Sequence, residues 1–557
     1  MLYFRACSSG PARHPSEVHV TPAGLPLDER QMILDLVSQV RDRMFAPEKL
    51  RHYDEEEAFP EAEIRELLGP DIGLQLLFIP QEYGGLGGGA RDMAAVTEAM
   101  GKVCLGVATG FLVIHLGSDP ILVGATEAQK RKWLARVAEG TIVAYAVTEP
   151  EAGSNLSNLK TSAAPVTDDQ GVVIGYRLNG NKQFISNGGY ADFLTVLAQA
   201  PEGPSFFIVE KGAKGFSAGK PEQKHGIRNS NTTALIFDDV FVPLENLVGE
   251  VPGHGLTQAN EVFGYTRLMV AALALGAGAA ALEKVIAYAK ERVQFGSPLI
   301  EKQGYTHKLV LPHVVRLEAA RAYIEEVATR LDSGESDLQA EGSLAKLYTT
   351  EAANACADDA IQALGGYGYV REYDVERIKR DVKITTIYEG TNEIQQLIVS
   401  TSRWRESVKS KGAFYDTLAR RLDSIHQGRG DLKADVSAEV IRLLDRLFTV
   451  VHEAKATRRQ HVMFRLATLA ALAETGAALT AKAANPAPVD GERLALCARI
   501  NAALCGRAAM EVAGEILFGL GQWSPSEAQA VIDSSGFDYG RSQADFITDM
   551  DALLTRI

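Results

Sequence analysis

Cysteine is scarce. The 557 residues hold five, Cys7, Cys104, Cys356, Cys497 and Cys505, an odd number without CxxC or zinc-type spacing. That excludes a disulfide framework and points to a reducing compartment. Basic residues are in deficit: 57 Lys and Arg against 71 Asp and Glu leave a net charge of −14. Neither nucleic acid nor an anionic membrane is then the expected main partner, since both favour a basic face. No uninterrupted apolar run reaches the roughly 18 residues of a membrane span. The longest, residues 268 to 282, is mostly Ala and Gly and reads as a tightly packed core helix. The opening MLYFRACSSGPARHP has two arginines and no acid but lacks the apolar stretch of a secretory signal, so residues 1–27 read as a tail. There is no Walker loop and no HExxH, and His115, His225 and His307 show no ligand spacing, so no metal is expected. GGLGGG at 84–89 lacks the strand, helix and acid of a dinucleotide fingerprint and reads as a turn.

What is present is a change of texture along the chain. Length alone suggests two to four domains. Residues 28–140 repeat apolar side chains at helical spacing, as in DERQMILDLVSQVRDRM. Residues 141–250 turn to short β-rich runs, TIVAYAVT, GVVIGYRLNG, DFLTVLAQA, SFFIVEKG and TALIFDDVFVP, which predict a β-barrel or sandwich. Helical patterns return over 251–405 and continue through 406–557, broken by the proline-containing linker AANPAPVDG.

Four stretches and one acid could carry chemistry. In YAVTEPEAGSN a run through Val147 and Thr148 enters a Gly153-Ser154 turn, offering backbone N–H groups and hydroxyls to a polar ring or phosphate, though such turns also close ordinary hairpins. NGNKQFISNGG sets Phe184 beside Ser186; an aromatic face there suits ring stacking, and a core Phe is the plain alternative. In ERVQFGSPLIEKQ, Arg292 could clamp a pyrophosphate, since a guanidinium fork matches two phosphate oxygens, and Phe295 could pack on an adenine. IQALGGYGYVRE ends a helix in Gly365 and Gly366, which either admit a ligand closely or merely cap the helix. Finally, ITTIYEGTNEIQ places Glu389 between an aromatic residue and a glycine.

Taken in order, IPQEYGGLGGG, YAVTEPEAGSN, NGNKQFISNGG, KHGIRNSNT, FDDVFVP, ERVQFGSPLIEKQ, LGGYGYV and IYEGTNEIQ resemble the acyl-CoA dehydrogenase family over residues 28 to 405. The resemblance implies a mainly α protein with a central β-domain: a helical domain, a β-barrel or sandwich and a four-helix bundle, here followed by an extra helical domain. It implies FAD between β-domain and bundle, partly held by a neighbouring subunit. Tyr145, Val147, Thr148, Gly153 and Ser154 match the segment at the flavin and its phosphates, and Phe184, Ile185 and Ser186 the trio against the isoalloxazine. Arg292, Phe295, Leu299 and Gln303 match the arm that reaches the partner's FAD, Gln362, Gly365 and Gly366 the stretch at its pyrophosphate, and Thr391 and Glu393 positions near its adenosine half. Many relatives carry Gln where Glu393 stands.

Glu389 matches the catalytic base that takes the α-proton of the thioester, with Ser154, Arg267, Tyr388 and Gly390 on the substrate side. A subgroup carries its base before an arginine on an earlier helix; Thr266 stands there. Ala108 and Leu112 match a helix that floors the acyl pocket, where they replace polar residues and imply a deeper, drier cavity. The C-terminal extension resembles that of very-long-chain members. Together these imply a homodimeric enzyme of fatty acid β-oxidation that turns long-chain acyl-CoA into trans-2-enoyl-CoA and passes electrons to electron-transfer flavoprotein. Bacterial cytoplasm and mitochondrial matrix both fit, and the sequence leaves open whether the last helices touch a membrane. Two other readings share the fold: an acyl-CoA oxidase, whose corresponding turn usually reads TELGHGSN rather than TEPEAGSN, and a non-catalytic assembly factor, which would show damage to the base or the FAD contacts.

Overall fold

The computed structural model describes residues 24–485 and 490–557. Most of the N-terminal tail, with Cys7, and the centre of the proline-containing linker lie outside the described residues. Helices α1 (Leu27–Met44), α2 (Pro47–Glu55), α3 (Glu61–Leu67), α4 (Ala90–Val103), α5 (Leu105–Gly124) and α6 (Glu127–Ala138) come first. The α6 start is a capping box: Thr126 Oγ1 accepts the Gln129 N–H, and the Gln129 side chain accepts the Thr126 N–H. Helix α5 is apolar nearly all round because it is buried on most sides.

Seven strands then form one sheet: β1 (Val143–Ala146), β2 (Ser162–Thr167), β3 (Val173–Ser186), β4 (Phe193–Ala200), β5 (Gly203–Glu210), β6 (Phe216–Pro221) and β7 (Thr232–Pro243). Their order is β1-β4-β2-β3-β7-β6, with β5 also on β4. β4 pairs in parallel with β1 and β2, and the remaining pairs are antiparallel. The result is a half-barrel, a single curved sheet where sequence allowed a closed barrel or a sandwich. β2 and β6 escaped the sequence reading because Pro, Ser and Gly and a mostly exposed face hide their alternation.

The bundle follows: α7 (Gly255–Glu291), a hairpin of β8 (Val293–Gln294) and β9 (Ser297–Pro298), α8 (Gln303–Leu309), α9 (Leu311–Asp332), α10 (Gln339–Leu364), α11 (Val375–Val382) and α12 (Asn392–Lys409). The Ala/Gly-rich part of α7 is the core helix its composition predicts. A side chain at Gly276 would collide with the Glu98 carbonyl of α4, and one at Gly101 with the Leu273 carbonyl, so the two backbones touch.

Helices α13 (Ala413–Gly428), α14 (Ala434–Glu453), α15 (Gln460–Ala484), α16 (Gly491–Leu517), α17 (Pro525–Asp533), α18 (Tyr539–Gln543) and α19 (Phe546–Leu554) make the extension. It is fused to the bundle by a buried network in which Arg403 donates to Glu474 (2.8 Å) and Glu341 (3.1 Å), and Tyr415 Oη donates to Glu474 (3.1 Å). Among the described residues, α5, α7 and α15 are long and apolar enough to cross a membrane by length and composition, although polar residues interrupt the apolar run in each. All three lie mostly buried within the fold.

Candidate active site

Between α11 and α12 the chain tightens into a 3-10 turn (Lys383–Thr386) and then reverses through two left-handed residues, Glu389 (φ 55°) and Gly390 (φ 85°). A non-glycine residue in that region is strained and needs its surroundings to hold it. They do. Gln395 Nε2 donates to the Glu389 carbonyl (3.0 Å) and the Gly390 carbonyl (2.8 Å), while Lys346 Nζ donates to the Gly390 carbonyl (2.7 Å) and to Asn392 Oδ1 (3.0 Å). Both carbonyls of the reversal are thus pinned. The Glu389 N–H, in contrast, has no acceptor among the described residues.

The Glu389 carboxyl points back toward α7, where Thr266 Oγ1 lies 3.5 Å from Oε2. Burial pushes its pKa up, and the charges of Arg267 and Lys346 with the Thr266 hydroxyl only partly offset that, so the group is more basic than an ordinary glutamate. Arg267 is itself buried, donates to Ser343 Oγ (3.2 Å) and lies over the Phe263 ring. Lys346 is brought down to about 7 by desolvation despite the nearby carboxylates.

A second locus lies along the sheet. Tyr145 on β1 is buried, with its hydroxyl unpartnered among the described residues, and both Glu389 and Asp119 push its pKa up further after burial. Val147 is buried and its carbonyl accepts from Lys182 Nζ (3.1 Å); the Thr148 carbonyl accepts from the Gln183 N–H. Gly153 and Ser154 sit exposed at the lip, with open space where a Gly153 side chain would stand. Where β3 slips register against β7, Phe184 turns left-handed (φ 59°) and leaves the sheet 63% exposed, Ile185 stays in the core and Ser186 is half-buried. The plain alternative of a core Phe is therefore overturned: a bulge has ejected it.

A third locus is an open groove of about 690 Å³ between the end of α7, the hairpin, α8 and the end of α10. Arg292, Leu299, Gln362, Gly365 and Gly366 all line it. Arg292 lies over the Tyr367 ring, and Gly365 (φ 61°) ends α10 with nothing within 4 Å of where a side chain would begin. Phe295 stands 97% exposed at the two-residue hairpin tip, paired with Gly296 in a left-handed turn. Gln303 behaves differently from the rest of the arm: it donates to Asp551 Oδ1 of α19 (2.8 Å). Thr391 precedes α12, and the exposed Glu393 has its pKa lowered by backbone N–H bonding and the Thr391 hydroxyl.

Family models cover most of these loci. The N-terminal, middle and C-terminal domain models of acyl-CoA dehydrogenase match residues 27–141, 144–240 and 253–402. An acyl-CoA dehydrogenase of Bacillus subtilis is 42% identical over 337 residues, 59% of this chain and 86% of that one. The butyryl-CoA dehydrogenase of Megasphaera elsdenii superposes with a TM-score of 0.64 at 36% identity, covering 68% of this chain and 98% of that one. The chain belongs to the acyl-CoA dehydrogenase family. An acyl-CoA dehydrogenase from Bacillus anthracis, solved with FAD, matches 96% of both chains (TM-score 0.78, 24% identity), so the fold of the extension recurs there as well.

As an acyl-CoA dehydrogenase the protein is an oxidoreductase acting on CH–CH bonds with FAD as cofactor. Its residues fit that cofactor. An ejected aromatic ring and an open glycine lip suit a flat heterocycle, and a groove with one arginine and an unobstructed glycine pair suits a pyrophosphate. Arg292→Ala is expected to weaken FAD binding about 10- to 100-fold, the worth of a charge-assisted hydrogen bond, measured by titrating flavin-stripped protein with FAD. Unchanged affinity would remove Arg292 from the cofactor site.

On the substrate side, Ala108 is wholly buried and Leu112 half-buried on α5. At the same helical face, His115 and Asp119 follow, both buried, and Tyr265 Oη donates to Asp119 Oδ1. Tyr388 is half-buried beside Thr109 and Glu389. Sequence reasoning missed Lys346, Gln395, Asp119 and Tyr265. The signal available was a lone ionisable residue inside an otherwise small or apolar helical face, as in SLAKLYTT and HLGSDPIL.

Proposed function

We propose that the protein removes hydrogen from Cα and Cβ of an acyl-CoA thioester to give a trans-2-enoyl-CoA, with Glu389 as the base. The observation that carries this is the unpartnered Glu389 N–H beside its own buried carboxyl, with the flanking carbonyls pinned. An α-proton is too weakly acidic for water to remove at neutral pH. Deprotonation needs a desolvated carboxylate and a donor on the developing enolate oxygen. Glu389 offers both: Oε2 takes the proton while its N–H donates to the thioester oxygen. Gly390 leaves the approach clear of a side chain, and burial raises the basicity of the carboxylate while the charges of Arg267 and Lys346 partly oppose that rise. FAD, when bound, supplies the acceptor for the hydride leaving Cβ.

Electrons pass from this enzyme to electron-transfer flavoprotein, as the resemblance implies, and the working unit is a homodimer in which the arm of one subunit serves its partner's cofactor. The extension supports a long acyl chain, whereas the similarity to a butyryl-CoA dehydrogenase and the polar face of α5 pull toward shorter or substituted ones. The test is anaerobic titration of the yellow protein with a series of acyl-CoAs. Bleaching at catalytic speed with release of enoyl-CoA is expected; a protein that keeps its flavin and bleaches with no acyl-CoA would overturn the reading. Lys346→Met should shift the acid limb of the kcat/KM pH profile upward, because removing a cation raises the pKa of a neighbouring carboxylate. An unshifted limb would remove Lys346 from the base's environment.

A further inference from the structure

Among the described residues that line the groove at the end of α7, Arg292 is the one that carries a charge. Its backbone is fixed on both sides: the N–H donates to the Tyr288 carbonyl (2.8 Å) and the carbonyl accepts the Leu299 N–H (2.8 Å). The guanidinium, in contrast, has no hydrogen-bond acceptor and no carboxylate partner among the described residues. What it meets is the ring of Tyr367, with the guanidinium carbon 5.6 Å from the ring centroid. Tyr367 lines the same groove and directly follows the Gly365-Gly366 pair.

Tyr367 is itself held from behind. It lies in the 3-10 segment Gly365–Tyr369 that follows α10, and at Gly368 the chain passes so near α10 that a side chain there would strike the Ile361 carbonyl. Its ring packs against Tyr288 (centroids 6.2 Å apart) and Tyr373 (5.1 Å), a row of tyrosines that joins the end of α7 to the segment between α10 and α11. Arg292 therefore rests on a braced aromatic face. An arginine without an acceptor samples many rotamers, and ordering it when a ligand binds is costly. The negative face of a phenol ring attracts the cation and removes part of that freedom beforehand.

We propose that Tyr367 is a positioning residue for the cofactor: its ring holds the Arg292 guanidinium over the groove, so that the fork is already ordered when it meets the pyrophosphate of FAD. The assignment rests on the cofactor reading of the groove and deepens it. Tyr367 acts through Arg292 and not by touching the ligand. An aromatic face is what the role requires, and the phenol hydroxyl is dispensable to it.

The test measures the equilibrium release of FAD from the full-length holoenzyme, read as flavin fluorescence on serial dilution. Tyr367→Leu should weaken binding about three- to tenfold, and Tyr367→Phe should keep the wild-type affinity. The deciding comparison is the double variant. In the Arg292→Ala background Tyr367→Leu should add nothing, because the ring no longer has a guanidinium to hold. Wild-type affinity in Tyr367→Leu would overturn the proposal, as would a Tyr367→Phe protein that binds as weakly as Tyr367→Leu. Equal weakening by Tyr367→Leu with and without Arg292 would also overturn it, since the ring would then be packing the groove or touching the ligand itself. If Tyr367→Leu does not fold, Tyr367→Gln, which also lacks an aromatic face, carries the same comparison. Loss of affinity in Arg292→Ala without any in Tyr367→Leu defeats the positioning role alone, whereas full affinity in Arg292→Ala defeats the cofactor reading of the groove as well.

Discussion

Glu389→Gln is expected to lower kcat about 100- to 10,000-fold, the usual worth of a positioned general base. The substitution keeps the side chain's length and leaves in place the features that set the loop: the Gln395 and Lys346 bonds to the backbone carbonyls and the free N–H. Substrate should therefore still bind and its carbonyl still be polarised, so the loss should fall on kcat with little change in KM. Anaerobic stopped-flow bleaching with a saturating acyl-CoA reads this directly, and the retained yellow colour reports an intact cofactor site. A variant that turns over at the native rate would mean that some other group takes the proton. Thr266, 3.5 Å from Oε2, cannot serve as that base at neutral pH, because an alcohol is far too weak an acid to be ionised there. The raised basicity of Glu389 also predicts that activity falls on acidification at a higher pH than an ordinary glutamate would give, since protonation removes the base.

Lys182→Met carries the largest expected effect on stability. Lys182 on β3 and Glu149 on the lip form an ion pair at 2.6 Å with both side chains almost wholly out of water. Glu149 also accepts the Lys160 N–H (2.6 Å) and the Thr161 N–H (3.1 Å), which ties the 145–154 turn to the start of β2. Removing the cation leaves a buried carboxylate uncompensated, a cost of about 3–5 kcal/mol. The expected result is a markedly lower thermal midpoint together with faster loss of FAD, because the lip is what the pair anchors. Lys182→Met combined with Glu149→Leu should recover part of the loss, since an apolar pair replaces the orphaned charge. Burial opposes ionisation of Glu149, but the Lys182 charge and the three hydrogen bonds outweigh it and hold its pKa below the usual range. A carboxylate depressed in the folded state contributes stability that is present above its unfolded pKa and lost as pH falls through the folded one. The wild type should accordingly lose this contribution in acid, and an equal thermal midpoint for Lys182→Met and wild type at neutral pH would refute the role.

Much of the fold is written locally. The 3.6-residue periodicity marks the helices before and after the sheet, and five of the seven strands announce themselves by β-branched and aromatic runs between turn residues. β2 and β6 do not, because an exposed face and a proline erase the alternation on which such reading depends. The site divides the same way. Arg292 is far in the chain from Gln362, Gly365 and Gly366 yet shares one groove with them, and motif order alone pointed to them as a set. Lys346 and Gln395 were invisible because what they hold is a backbone reversal, and nothing in a helix's own sequence shows which carbonyl a lysine will meet. The α5 face shows the same limit. Beyond Ala108 and Leu112 the helix carries His115 and Asp119, and the partner of Asp119, Tyr265, lies 146 positions away.

Gln303 depends on a residue 248 positions downstream, Asp551, for its hydrogen bond at the root of the arm. Domains emerge from the ribosome and fold in order, N-terminal part first. A nascent chain that has finished its bundle at α12 already holds Glu389, the lip and the sheet, but its arm still lacks the strut that α19 provides. The root of the arm is therefore braced by one of the last segments of the chain to be made.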